Sequence, residues 1–129
     1  GPLLFQLPPN MKIDVERLRD FVSLFPAGLR TAFEFRHDSW FADETYTALS
    51  DVGAALVVAD TEADEPAEVV ATAPYGYLRL RRADYEPDDV ARWARVVSDQ
   101  DWDDAFVFFK HEDAGAGPAL AERFVAELG

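Results

Sequence analysis

The chain has 129 residues and sets 25 Asp+Glu against 12 Lys+Arg, a formal net charge of −13. With 49% hydrophobic and 13% aromatic residues it has the composition of a globular domain and not of a disordered tail. The length suits one domain with a real core, yet falls short of a complete eight-unit barrel, which takes roughly 200 residues or more; the acidic balance opposes a general grip on nucleic-acid phosphates or anionic membrane surfaces.

There are no cysteines, which removes disulfides, thiolate metal sites and thiol nucleophiles together. No apolar run is long enough to span a membrane, and no basic-then-apolar leader opens the chain, so a cytoplasmic setting is the default expectation. The chain starts without an initiator methionine, and Gly1-Pro2 runs directly into a strand. The expectation is that residue 1 falls inside a larger domain.

In chain order, Leu3-Leu4-Phe5-Gln6-Leu7 reads as a strand and Pro8-Pro9-Asn10 breaks it. Asp14 is a good N-cap, and Val15, Leu18, Phe21, Val22 and Phe25 follow at helical spacing up to Pro26-Ala27-Gly28. Leu29 to Phe35 alternates as a strand, and the loop His37-Asp38-Ser39-Trp40 leads to a helix from Asp43 to Asp51 that Gly53 stops. Ala55-Leu56-Val57-Val58-Ala59 is a continuous apolar run, the mark of a strand covered on both faces.

A polar loop covers Asp60 to Pro66, and Val69-Val70-Ala71 reads as a short extended piece. Tyr75 to Arg81 is the next strand, Pro87 opens a helix to Ser98, Ala105 to Phe109 is a strand, and Pro118 to Leu128 a helix. Strand and helix alternate, which predicts an α/β fold of parallel βα units. That means about half of a TIM-barrel-like (β/α) barrel, or a small doubly wound sheet.

In a barrel the outward side chains meet helices and the inward ones become polar toward the C-terminal mouth. Phe5, Leu7, Phe33, Phe35, Leu78 and Leu80 outward leave Gln6, Glu34, Arg36, Tyr77, Arg79 and Arg81 inward. Asp60 closes its strand at the same end. The expected lumen set is therefore Gln6, Glu34, Arg36, Asp60 and Arg79. Buried charge demands pairing, so Glu34 is expected to pair with Arg79 or Arg36. Such a cluster is either a structural plug or the floor of a polar pocket.

Three strings carry a family resemblance: Phe5-Gln6-Leu7-Pro8-Pro9, Glu34-Phe35-Arg36-His37-Asp38-Ser39-Trp40 and Ala59-Asp60-Thr61. Tyr77-Leu78-Arg79-Leu80-Arg81 and Val107-Phe108-Phe109-Lys110-His111 agree in order and approximate spacing. Together they resemble the YecE-like family, a domain of unknown function, across essentially the whole chain. The resemblance implies a TIM-barrel-like domain nearly twice this long, of which this chain is the C-terminal part. It implies no activity. The sequence departs from the family at Asp38, where many members carry Pro, and at Lys110-His111, where Asn-Asn is frequent.

Several groups can carry chemistry. Glu34 and Asp60 offer a carboxylate pair for general acid/base work, with Arg79 setting their charge state. His37, next to them, suits a general base or a metal ligand, or else fixes its own loop. Glu34, His37, Asp60 and His111 are a weak oxygen/nitrogen metal set without a short ligand motif. Trp40 offers a stacking face, or covers the mouth. Lys110 and His111 border Gly115-Ala116-Gly117-Pro118, which is either a phosphate cradle or an ordinary helix start. Arg79, Arg81 and Arg82, with Arg36, form the densest basic cluster.

The leading expectation is an enzyme acting on a small polar or anionic substrate at the C-terminal mouth, with Glu34, Asp60 and His37 catalytic. Gln6, Arg36, Trp40, Arg79, Lys110 and His111 would bind the substrate, and no cofactor or metal is singled out. The alternative is a non-catalytic module binding a nucleotide, a nucleic-acid end or another anion. Half a barrel also leaves two open sheet edges, so the rest of the domain or a second copy is expected to cover them.

Overall fold

The computed structural model describes residues 2–61, 67–82 and 84–109. The helix expected over Pro118 to Leu128, Lys110, His111 and the Gly115-Ala116-Gly117-Pro118 segment lie outside the described residues.

Among the described residues five strands form one parallel sheet: β1 (Leu3–Gln6), β2 (Thr31–Glu34), β3 (Ala55–Asp60), β4 (Tyr75–Leu80) and β5 (Asp104–Phe109). Their spatial order is β1-β2-β3-β4-β5, with no reversal. A doubly wound sheet reverses direction at a switch point, whereas a barrel winds steadily in one sense. The fold is α/β, with the winding of about half of an eight-stranded barrel.

Among the described residues three α-helices lie along the sheet: α1 (Val15–Val22), α2 (Asp43–Val52) and α3 (Pro87–Ser98). Local chemistry sets their ends. The Asp14 side chain accepts the Arg17 N–H at 3.1 Å at the start of α1. Gly53, at φ 67°, closes α2 in the left-handed conformation. Pro87 sits in the first turn of α3, where Asp89 accepts the Glu86 N–H at 3.1 Å.

Two readings shift. Helix α1 stops at Val22 although the apolar spacing continues to Phe25, because Pro26 disfavours helical backbone just before it. Phe25 packs instead on Phe5, with ring centroids 5.2 Å apart. Residues 69–71 form no strand; this stretch is irregular and delivers Thr72 to the start of β3. There the Thr72 hydroxyl donates to Ala54 O at 2.7 Å and accepts the Leu56 N–H at 3.1 Å.

The helices cover one face of the sheet. Phe33, Phe35 and Leu56 pack against Leu18 and Val22 of α1 and Ala48 and Leu49 of α2. Val58, Leu78, Leu80 and Phe109 pack against Val90, Trp93, Ala94 and Val97 of α3. The opposite, concave face carries Ala32, Ala55, Val57, Tyr75 and Tyr77. None of the described helices is long and apolar enough to cross a membrane.

Gly76 in β4 marks a close approach. A Cβ there would lie 2.5 Å from the Trp102 ring. Gly76→Ala is expected to cost roughly 1–3 kcal/mol of stability, the range for forcing an extra carbon into a packed site. Urea denaturation reads this directly, and an unmoved midpoint would show that Trp102 has room to yield.

Candidate functional site

The ends of three strands meet at one carboxylate. Glu34 is the last residue of β2, and because Phe33 and Phe35 turn outward under the helices, its side chain turns to the concave face. Gln6, its register partner on β1, donates from Nε2 to Glu34 Oε1 at 3.1 Å. Arg79 of β4 donates to the same oxygen. To do so it reaches past β3, where small Ala59 stands in register with it. Arg36, two residues after Glu34, brings Nε to 3.5 Å from Oε2.

Glu34 is only 2% exposed, so it is a buried anion compensated by two guanidinium groups and an amide. Tyr77 adjoins this cluster on the concave face. Burial pushes its hydroxyl above the ordinary phenol range, with Arg79 opposing the shift and Glu34 adding to it. The expectation that Gln6, Glu34, Arg36 and Arg79 share the inward face is met.

Asp60 is a correction. It alternates with Val58 toward the helices, not into the lumen, and Glu34 and Asp60 therefore lie on opposite faces of the sheet. Asp60 Oδ2 accepts the Tyr85 hydroxyl at 2.9 Å and the Trp93 indole N–H at 3.2 Å. The Tyr85 oxygen in turn accepts the Arg82 N–H at 3.2 Å, and Arg81 N–H donates to Asp60 O at 2.8 Å. This network binds the loop after β4 to the end of β3. A Glu34/Asp60 acid–base pair acting on one substrate is excluded by that geometry.

Trp40 is a second correction. It is 1% exposed, stacks on Phe35 with centroids 4.6 Å apart, and donates from Nε1 to Met11 O at 2.8 Å. Buried and stacked on Phe35, it offers no open face at the mouth of the sheet. It belongs to a one-turn 3₁₀ helix, Asp38–Trp40, that His37 caps.

His37 Nδ1 accepts the Ser39 N–H at 3.1 Å and lies 2.8 Å from Ser39 Oγ. Ser39 Oγ itself accepts the Ile13 N–H at 2.8 Å. Nδ1 is thus engaged within the loop and the ring is held as a loop organiser, which leaves Nε2 for other work. Among the described residues no group of three or more His, Asp or Glu side chains stands close enough together to hold a metal ion.

Beside the Glu34 cluster lies an open cavity of about 620 Å³. Glu34, Arg36 and Asp38 line it from the β2 side, Thr61 and Glu68 from beyond β3, and Phe41 forms an apolar wall. Phe41, Thr61 and Glu68 were not foreseen. Phe41 stands beside the more conspicuous Trp40, and Glu68 sits in an irregular stretch with no periodicity to orient it.

The entire chain, residues 1–129, matches the family model described as protein of unknown function DUF72. The chain belongs to the DUF72 family. It is similar to the crystal structure of a DUF72 family protein from Enterococcus faecalis V583, with a TM-score of 0.79 at 17% identity. That match covers 98% of this chain and 60% of the other. It is likewise similar to a DUF72 family protein from Thermotoga maritima MSB8, with a TM-score of 0.73 at 25% identity, covering 97% of this chain and 56% of that one. The chain thus spans less than two thirds of the length of these DUF72 structures. No curated protein matches it.

Two outcomes follow for this DUF72 chain. Glu34→Leu strands the Arg79 charge in a buried setting and is expected to cost about 3–5 kcal/mol, while Glu34→Leu with Arg79→Leu recovers most of the loss. Chemical denaturation of the three proteins measures both; a harmless single change would show that the pair is solvated.

The second outcome concerns alkaline pH. Burial pushes the Tyr85 hydroxyl well above the ordinary value of 10.0, with the Arg82 N–H opposing and Asp60 adding to the rise. A folded-state pKa above the unfolded one gives stability that is complete below the unfolded value and lost as pH climbs beyond it. Wild type should therefore lose more stability than Tyr85→Phe between about pH 8 and about pH 11. Parallel declines in the two proteins would remove Tyr85 from this account.

Proposed function

We propose that this chain binds a small polar ligand carrying an anionic group, in the cavity at the C-terminal end of the sheet. The observation that carries the reading is the state of Arg36. Glu34 holds its Nε, its side chain is 49% exposed and lines the cavity, and its terminal nitrogens have no partner among the described residues. A guanidinium oriented from behind and open in front is suited to receive a carboxylate or phosphate edge. Arg79 supports it from the buried side by sharing the Glu34 charge.

A binding role fits better than acid/base catalysis by Glu34. Oε1 already accepts from Gln6 and Arg79, and Oε2 lies 3.5 Å from Arg36 Nε, so the carboxylate is placed to organise cations. The end of the sheet is also where barrels of this winding place their ligands. Arg81 and Arg82, which make no ion pair among the described residues, stand on the loop fastened to Asp60 and extend the basic side of this end.

The test is a titration of the full chain with acetate, followed through the Arg36 Nε–H resonance. A saturable shift is expected, and Arg36→Ala should weaken binding by roughly tenfold or more while the melting temperature holds, given the strength of charged hydrogen bonds. Acetate binding equally well to Arg36→Ala would overturn the reading.

A further inference from the structure

Among the described residues the cavity lining holds more carboxylates than guanidinium groups, so its charges suit a ligand that carries more than an anionic group. Glu34 is already balanced by Arg79. Among the described residues, what remains on the cavity lining is one open guanidinium, Arg36, and two carboxylates, Asp38 and Glu68. Neither carboxylate makes an ion pair or a side-chain hydrogen bond among the described residues, and both residues are exposed. What sets them apart from the other unpaired surface carboxylates is that they line one cavity together with the open Arg36 guanidinium.

Resting on the proposed binding reading, we infer that the ligand is a zwitterion, a small molecule carrying both an anionic group and a cationic amine. Its anionic end meets Arg36 and its ammonium end meets Asp38 and Glu68. Phe41 provides an apolar wall for the carbon skeleton between them. The negative field on this side of the cavity is felt by a neighbour: Tyr46 is pushed above the ordinary phenol range by burial first, then by Glu68 and Asp43. A second anionic group on the ligand would have to sit in that field, so Asp38 and Glu68 reject dianions as well as attract amines. The overall charge of −13 works in the same direction during approach.

The inference is tested with three probes of one five-carbon skeleton: 5-aminopentanoate, glutarate and cadaverine, each titrated into the full chain by calorimetry or NMR. The zwitterion should bind at least tenfold more tightly than glutarate or cadaverine. Asp38→Asn with Glu68→Gln should remove that advantage over glutarate, and Arg36→Gln should remove it over cadaverine. Glutarate binding as tightly as 5-aminopentanoate would overturn the zwitterion and leave Arg36 as an anion site. Cadaverine binding as tightly would overturn it and shift the site to amines alone. Failure of all three probes, together with failure of acetate, would remove the underlying binding reading.

Discussion

A carboxylate buried on the concave face of a parallel sheet is costly, and the organisation of this chain's C-terminal end follows from answering that cost. Glu34 cannot stay charged at 2% exposure without cations beside it. The compensation is drawn from β1, β4 and the residue pair just after β2, through Gln6, Arg79 and Arg36. Because Arg79 must cross β3 to arrive, β3 needs a small inward residue, and Ala59 supplies it. The same arrangement fixes which cation is used up and which stays open. Arg79 is mostly covered, while Arg36 is turned toward the cavity, so the structural requirement and the proposed ligand contact come from one charge.

The two sides of the sheet divide the labour. Facing the helices, Asp60, Tyr85 and Trp93 form a second buried polar cluster, and its effect is to fasten a loop. Ser39, His37 and Trp40 do the same for the loop after β2, which they join to residues 11–13 through Ile13 N–H and Met11 O. Polar residues that share one end of the fold thus have two different tasks, and the face they occupy decides which.

Much of this could be read from residue order, and the exceptions have a common cause. Where apolar and polar residues alternate, as in Phe33-Glu34-Phe35 and Leu78-Arg79-Leu80, the phase of the strand is explicit, and the inward placement of Glu34 and Arg79 follows. In Ala55-Leu56-Val57-Val58-Ala59 both faces are apolar, so alternation has no phase and the direction of Asp60 cannot be read from it. Trp40 was ambiguous for a different reason. An aromatic in a short loop looks the same whether it faces solvent or folds back, and only the one-turn helix Asp38–Trp40 lays it on Phe35. Glu68 belongs to a stretch whose course is set by tertiary contacts, the Thr72 hydroxyl and the packing of Val69 and Val70, and not by any local periodicity.

Arg30, just before β2, pairs with Asp104 at the start of β5 at 3.0 Å, while its guanidinium lies 5.1 Å from the Tyr75 ring centroid. Two strands separate β2 from β5, so in a flat sheet these partners would stand about three strand spacings, or ~14 Å, apart. The bridge therefore spans the curve of the sheet at one end, as Glu34 and Arg79 do at the other. Any strand that pairs with β1 or β5 meets a ribbon whose bend two long-range charge pairs already bracket.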